Sequence, residues 1–401
     1  METQILNGMV SAAADILKSG GLVAVPTETV YGLAANGFDE DAVLKIFEVK
    51  GRPENKPISL MVSDRNAIDV LCEDIPKAAY ALAEAFWPGP LTIVLKSKKM
   101  IPNIVRAGGE TVGLRCPDHP QLQELLHSID FPLAAPSANP SGEKSPVTAQ
   151  EVLGYFNGKI DGIIDGGECA VGKESTVIDL TKTPYTILRE GAVSKKDISM
   201  VLAASMTIIG ITGGTGCGKT TALNVIRNMG GLIIDCDEVY HRLLNESGPM
   251  LDAINERFPG AVPGGTHDTK ALGEIVFSNA EELRALNTIT HKFVGEELGR
   301  QLFDWANHGG ELAAIDAIAL IEGGISNICK ATVGVVAPTE MRIERLMKRE
   351  SVSHEYAALR VSAQKPNEFF EENCDYIVSN DSTEEAFKDK CRQIFEDIIR
   401  R

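Results

Sequence analysis

Apolar and polar positions along the chain form two successive series of short apolar runs, each closed by glycine, proline or small polar residues. In the later series the runs are nearly unbroken: TIIGIT (207–212), GLIIDCD (231–237), ELAAIDAIAL (311–320), ATVGVVAP (331–338) and DYIVSND (375–381). Continuous runs of this kind are what strands buried on both faces require. Helical stretches separate them, among them TALNVIRNM, 281–306 and 339–350. The alternation predicts an α/β unit whose five strands form a parallel sheet with helices on both faces. The earlier series is more mixed. A strand in 21–25 stops at Pro26 and a threonine-rich turn follows. A helix is predicted over 39–49, and strands in the runs at 87–95, 111–120, 132–142, 172–180 and 185–192. These suit a mixed α/β sheet. The pattern places one domain over 1–193, a closing helix and linker over 194–205, and a second domain over 206–401.

Composition narrows the classes. At 44% hydrophobic and 24% charged the chain is ordinary for globular protein, and no apolar run approaches the ~18 residues of a membrane span. The start, METQILNGMV, has no basic region leading into an apolar one, so neither a membrane segment nor a signal peptide is expected. The eight cysteines contain no CxxC pair and the seven histidines no HxxxH, which leaves reduced thiols and a cytoplasmic location as the expectation. Net charge is −17, with 19 basic against 26 acidic residues through 205 and 20 against 30 beyond. Neither half is a basic nucleic-acid module, so tight tRNA binding is not expected. Positive charge must act locally, as it does around a nucleotide's phosphates.

GGTGCGKT (213–220) follows the first strand of the later series and matches GxxxxGK[ST]. Gly213, Gly214, Gly216 and Gly218 let the main chain bend and aim its N–H groups at an anion. Lys219 reaches the β- and γ-phosphates, Thr220 offers its hydroxyl to Mg²⁺, and the helix that follows adds its dipole. Asp235 and Asp237 lie at the carboxyl end of the next strand, where open α/β sheets bind ligands. Read as extended, they point to one side. One of them is then a proton acceptor or a holder of Mg²⁺ through water, and Asp237 equally suits a helix N-cap. Arg342, Arg345, Lys348 and Arg349 share one helical segment, and the reading favours a phosphate-clamping lid with Arg349 first.

The loop, IDCDEVYH, ITH (289–291), Asp316-x₅-Glu322, MKRE and LRVSAQ (359–364) resemble dephospho-CoA kinase over residues 206–401. The resemblance implies phosphorylation of the ribose 3′-hydroxyl of dephospho-CoA by ATP. Gly213 to Thr221, with Thr215 and Cys217 inside the loop, would bind ATP, and Thr220 would hold Mg²⁺. Lys219, Asp235 and Arg349 would be catalytic, Asp235 as base. Asp235, Asp237, Asp316 and Glu322 would face the acceptor. Where the family has Pro-Leu-Leu inside its D-x₅-E stretch, this chain has Ile318-Ala319-Leu320.

In the first half, KGRPENKP packs Lys50, Arg52 and Lys56 into seven residues broken by prolines. A rigid cationic loop suits a polyphosphate; composition alone allows a solvated basic turn. Arginine and serine recur at strand ends, at Arg115, Ser137, Ser175 and Arg189, where a sheet gathers them into one cleft. PTETVYGL, KxRPxxKP, WPGPLT, APSANPSG and ESTVID, in that order, resemble the YrdC family of threonylcarbamoyl-AMP synthases over about residues 5–200. The resemblance implies a twisted mixed α/β sheet and condensation of L-threonine, bicarbonate and ATP, with Mg²⁺ accompanying ATP at both sites. A separate threonylcarbamoyl transfer complex then acts on adenosine 37 of tRNA. Lys50 and Arg52 would be catalytic. Lys50, Arg52, Lys56, Thr111, Ser137, Asn139, Ser145 and Arg189 would line the ATP side. Thr27, Thr29, Arg115, Ala135 and Ser175 would hold threonine, Arg115 taking its carboxylate. Met61 stands where some members have histidine. Two enzymes joined end to end is the reading that follows. Its rival is one kinase carrying a non-catalytic nucleotide- or RNA-binding module.

Overall fold

The computed structural model describes residues 2–246, 248–259 and 269–401. Its contacts divide the chain into one unit of Met1–Ser205 with Asn307–Gly309 and a second of Met206–Ala306 with Gly310–Arg401.

The first unit is built on strands β1 (Gln4–Ile5), β2 (Val23–Val25), β3 (Gly32–Asn36), β4 (Leu60–Met61), β5 (Cys72–Glu73), β6 (Leu91–Ser97), β7 (Thr111–Arg115), β8 (Leu133–Ala134), β9 (Gly162–Ile163), β10 (Thr176–Asp179) and β11 (Thr186–Arg189). They pair in the order β1-β9-β2-β3-β8-β4-β7-β6-β10-β11, with β5 on β6. Pairing is mixed: β6 runs parallel to β10 and antiparallel to β7, as expected for a mixed sheet. Leu17, Val23, Val25, Leu122, Leu125 and Ile164 form a core between the helices Val10–Lys18 and Pro120–Ser128 and the sheet. The helix Glu40–Lys50 starts at Asp39, whose side chain accepts from the Ala42 N–H. It ends on Gly51 at φ 58°, a left-handed conformation that glycine adopts without a Cβ penalty. That stop turns the chain directly into the Arg52 loop.

The segment 194–205, read as closing helix and linker, is all helix and caps. Ser194 accepts from the Asp197 N–H and the helix Lys195–Ala204 follows. It packs on the helix Lys77–Phe86 within the first unit. Ile198 and Leu202 are buried, and that apolar pair ties the segment down.

The second unit has β12 (Thr207–Thr212), β13 (Leu232–Asp235), β14 (Leu312–Asp316), β15 (Ala331–Val336) and β16 (Tyr376–Ser379), all parallel, in the order β13-β14-β12-β15-β16. Its core joins Ile209, Ile211, Val333 and Val335 to the helices Lys219–Asn228 and Glu384–Arg400 through Ile226, Phe387 and Phe395. β13 ends earlier than its sequence run suggests. Asp235 Oδ1 accepts from the N–H groups of Asp237 and Glu238, at 2.9 and 3.1 Å, and the helix Cys236–Asn245 begins at once. Asp235, not Asp237, is therefore the N-cap, and the two carboxylates are not on one extended face.

Phe387 is fully buried in the second core. Phe387→Ala is expected to cost about 3–5 kcal/mol, lowering one calorimetric transition and leaving the other unmoved.

Candidate active sites

In the first unit β4, β6, β7 and β10 present one face to a cavity of about 390 Å³. Arg115 is the last residue of β7 and is 6% exposed. Its Nη2 lies 2.8 Å from Glu28 Oε1 and donates to Thr29 Oγ1 at 2.9 Å, while its Nε donates to the Gly89 carbonyl at 3.3 Å. Thr29 Oγ1 in turn meets Thr27 Oγ1 at 2.8 Å. A buried guanidinium needs such a fixed counter-charge, and Glu28, also buried, supplies it. Sequence reasoning passed over Glu28; the P-T-E-T run beside an arginine-terminated strand was the available signal.

Across the cavity Ser175 Oγ meets Thr92 Oγ1 at 2.9 Å and accepts from Arg189 Nη2 at 2.9 Å. Arg189 Nη1 pairs with Glu174 Oε2 at 2.6 Å, and Ser145 donates to Glu174 Oε1 at 2.8 Å. Glu174, also missed, thus gathers Arg189 and Ser145 on one carboxylate. Lys50 is buried, and its Nζ donates to the Ser137 and Asn139 carbonyls. Burial, with Arg52 nearby, pushes its ammonium down to about 8, against a smaller opposing effect of Glu174. Arg52 Nη2 donates to the Pro57 carbonyl at 2.9 Å; burial and then Arg189 hold it below the usual arginine range. Arg52, Thr111, Arg115, Ala135, Ser137, Ser175 and Arg189 line the cavity together, with Met61. Lys56 is exposed and off that lining. Asn139 is buried and spends its amide on the Pro140 and Glu143 carbonyls.

The second site forms where β12 turns into the helix Lys219–Asn228. Gly216 and Gly218 take φ 80° and 107°, the left-handed region that favours glycine. Lys219 Nζ donates to the Gly213 carbonyl at 3.2 Å and lies 3.9 Å from Asp316 Oδ1. Asp235 and Asp316 are register partners at the ends of β13 and β14. Burial raises the Asp316 carboxyl to about 6, with Lys219 opposing and Asp235 and Asp237 adding. Its buried Oδ1 has no hydrogen-bond partner among the described residues. Thr220 is exposed on the first turn.

Arg342 and Arg345 hold this loop and do not close over it. Arg342 Nε donates to the Thr215 carbonyl at 3.0 Å, and its Nη2 to Gln364 Oε1 at 2.9 Å. Gln364 Oε1 also accepts from the Thr215 N–H at 2.7 Å. Arg345 Nη1 donates to the Gly216 carbonyl and Nη2 to Asn380 Oδ1, while Asn380 Nδ2 donates to the Cys217 carbonyl at 2.8 Å. Burying Arg342 requires these acceptors, so half of the expected lid is a brace. Gln364 and Asn380 had no role in the sequence reading. Arg349, by contrast, is half-exposed and pairs only with Glu350 at 2.6 Å among the described residues. Cys217 is buried, and burial pushes its thiol up.

Beside the loop a cavity of about 260 Å³ is lined by Asp237, Tyr240, Asn287, Thr290 and His291, with Ile318 and Ala319. Burial, then Asp235, raises the Asp237 carboxyl, while Lys219 and His241 pull it down. Asp237 is therefore the carboxylate on the lining of this cavity. Asp235, expected as base, has turned Oδ1 to the main chain as a cap. Glu322 is exposed, 3.7 Å from Lys365, and off this lining. No helix among the described residues is long and apolar enough to cross a membrane.

Two family models match the chain: Sua5/YciO/YrdC, described as "Telomere recombination", over residues 15–191, and "Dephospho-CoA kinase" over 207–385. The threonylcarbamoyl-AMP synthase of Pyrococcus abyssi is 47% identical over 190 residues, which cover 47% of this chain and 56% of that protein. A putative threonylcarbamoyl-AMP synthase of Methanocaldococcus jannaschii is 40% identical over 175 residues, 44% of this chain and 82% of that one. The solved dephospho-CoA kinase from Campylobacter jejuni shares 24% identity at a TM-score of 0.37, covering 48% of this chain and 97% of that one. The chain spans about half the length of the curated relatives it matches first.

Two outcomes follow from the second site. Asp316 is ionised above pH 6 against its burial, so Asp316→Asn removes a penalty of roughly 1–3 kcal/mol. The variant is expected to melt higher than the parent at pH 8. The gain should shrink as pH falls through about 6, where the native carboxyl takes up its proton, and vanish near the unfolded value. Arg342→Ala removes the brace on Thr215 and is expected to weaken ATP binding at the loop at least tenfold in calorimetric titration.

Proposed function

We propose that this chain, which belongs to the Sua5/YciO/YrdC family through residues 15–191 and carries a dephospho-CoA kinase domain over 207–385, is two ATP-dependent enzymes in series. The observation that carries the reading is that each unit sets its own cations and donors beside a separate acceptor cavity. In the first unit L-threonine seats its carboxylate on Arg115, which Thr29 and Glu28 hold in place. Its amine adds to CO₂ drawn from bicarbonate and loses a proton, giving a carbamate. The carbamate oxygen attacks the α-phosphorus of ATP, the bond to pyrophosphate breaks, and threonylcarbamoyl-AMP remains. Lys50, Arg52 and Arg189 offset charge on the leaving pyrophosphate. The product passes to a threonylcarbamoyl transfer complex.

In the second unit the glycine loop and Lys219 bind the phosphates of ATP. Asp237 accepts the proton of the 3′-hydroxyl of dephospho-CoA as that oxygen attacks the γ-phosphorus and ADP leaves. Arg349, whose one ion pair among the described residues is with its neighbour Glu350, is free to move toward the transferring group. The donor set fits magnesium: the Thr220 hydroxyl and Asp316 Oδ1, which takes no hydrogen bond among the described residues, are hard oxygen ligands. Magnesium would supply charge neutralisation between the phosphates there, and would accompany ATP in the first unit.

Lys219→Ala is expected to lower phosphorylation of dephospho-CoA at least 100-fold and leave threonine-dependent pyrophosphate release intact. Lys50→Ala and Arg52→Ala should do the reverse. Pyrophosphate release that survives both, or that needs no threonine or bicarbonate, would sink the first assignment; turnover of a nucleoside monophosphate with none of dephospho-CoA would sink the second. Lys50 is lowered from its usual value and must be charged to hold a phosphate. The kcat/KM for ATP in pyrophosphate release should therefore fall as pH rises past about 8, and Lys50→Arg should flatten that limb.

A further inference from the structure

The first cavity has two chemically different ends. Along β7, Thr111, Gly113 and Arg115 share the cavity face. Along β10, Val177 and Asp179 do so as well, after Ser175 just before the strand. Asp179 is the register partner of Val94, which is in turn the partner of Gly113. Arg115 and Ser175 thus mark one end, and Asp179 and Thr111 the other. Ser175 and Asp179 are four residues apart, about 13 Å on an extended strand, which is the reach of a nucleoside monophosphate.

Charge decides what lies at the far end. Arg52, Arg115 and Arg189 serve anionic groups, whereas Asp179 repels them. The triphosphate is therefore excluded from that end, and the nucleoside is left to fill it. The surroundings suit a base: Val94 lies beside Asp179, Val177 and Leu188 line the cavity between Asp179 and Arg189, and Leu188 is 60% exposed. An apolar side chain left open at the mouth of a charged cavity is what a flat ring would cover. Asp179 Oδ1 is already taken by the Thr181 N–H at 2.9 Å and the Thr181 hydroxyl at 2.6 Å. Its other oxygen takes no hydrogen bond among the described residues. One open acceptor, in fixed orientation, matches one exocyclic amine. Adenine carries a donor at its 6-position, where hypoxanthine and guanine carry an acceptor.

Resting on the reading of this cavity as an ATP site, we infer that Asp179 selects the base, by accepting a hydrogen bond from the 6-amino group of adenine in the apolar niche of Val94, Val177 and Leu188. The cost of facing a half-buried acceptor, once the base covers it, with another acceptor is what rejects a 6-oxo purine.

The test is equilibrium binding of ATP and of inosine triphosphate to the full chain carrying Lys219→Ala, which silences the glycine loop, with pyrophosphate release followed alongside. ATP should bind at least tenfold more tightly than inosine triphosphate. Asp179→Asn keeps an oxygen for Thr181 but turns the other position into an N–H donor. It should shift the ATP preference toward inosine triphosphate by tenfold or more, in affinity and KM rather than in kcat. Thr181→Val loosens the turn while keeping the carboxylate, and should leave the preference unchanged. No preference in the parent, an unchanged ratio in Asp179→Asn, or an equal shift in Thr181→Val would each overturn the inference. Base preference without pyrophosphate release would uphold the inference and refute the proposed reaction instead.

Discussion

A cation can be taken out of water only where fixed acceptors replace the hydration it loses. Both sites of this chain are organised by that constraint. Arg115 is buried against Glu28 and Thr29, Lys50 against two carbonyls of the Ser-Ala-Asn turn, and Arg342 against Thr215 and Gln364. Each arrangement fixes a loop as well as a charge. The Ser137–Asn139 turn is pinned by the lysine that it solvates, and the glycine loop by the arginines behind it. Pre-set loops need little reorganisation when an anionic ligand arrives, which is where preorganised sites gain their advantage over water.

What could be read from the sequence was whatever depends on local pattern. The five parallel strands of the second unit stand where unbroken apolar runs place them, and the helix Thr339–Glu350 occupies the stretch its periodicity marks. The glycine loop is legible because its φ angles demand glycine at Gly216 and Gly218. Less legible was anything that depends on a partner far along the chain. Gln364 and Asn380 reach the loop from 149 and 163 residues away, and no spacing rule announces that. Asp235 and Asp237 were read as one extended pair because β-pattern and capping chemistry overlap in IDCDE; the cap won, and it took the two carboxylates off a common extended face. Glu28 and Glu174 were overlooked because a carboxylate in a phosphate site runs against expectation until its arginine is seen.

The two proposed reactions share ATP and no intermediate, so nothing in their chemistry calls for transfer between the units. Each unit keeps its own core and its own sheet. Joining them fixes their ratio at one to one, a property of the polypeptide and not of either cavity.

The buried thiol of Cys217 lies inside the glycine loop, behind Gly213, and the Asn380 amide donates to the carbonyl of the same residue. Held protonated and away from solvent, it is a poor nucleophile. Electrophiles and peroxides therefore meet a glycine loop whose sulfur is buried and held toward its protonated form.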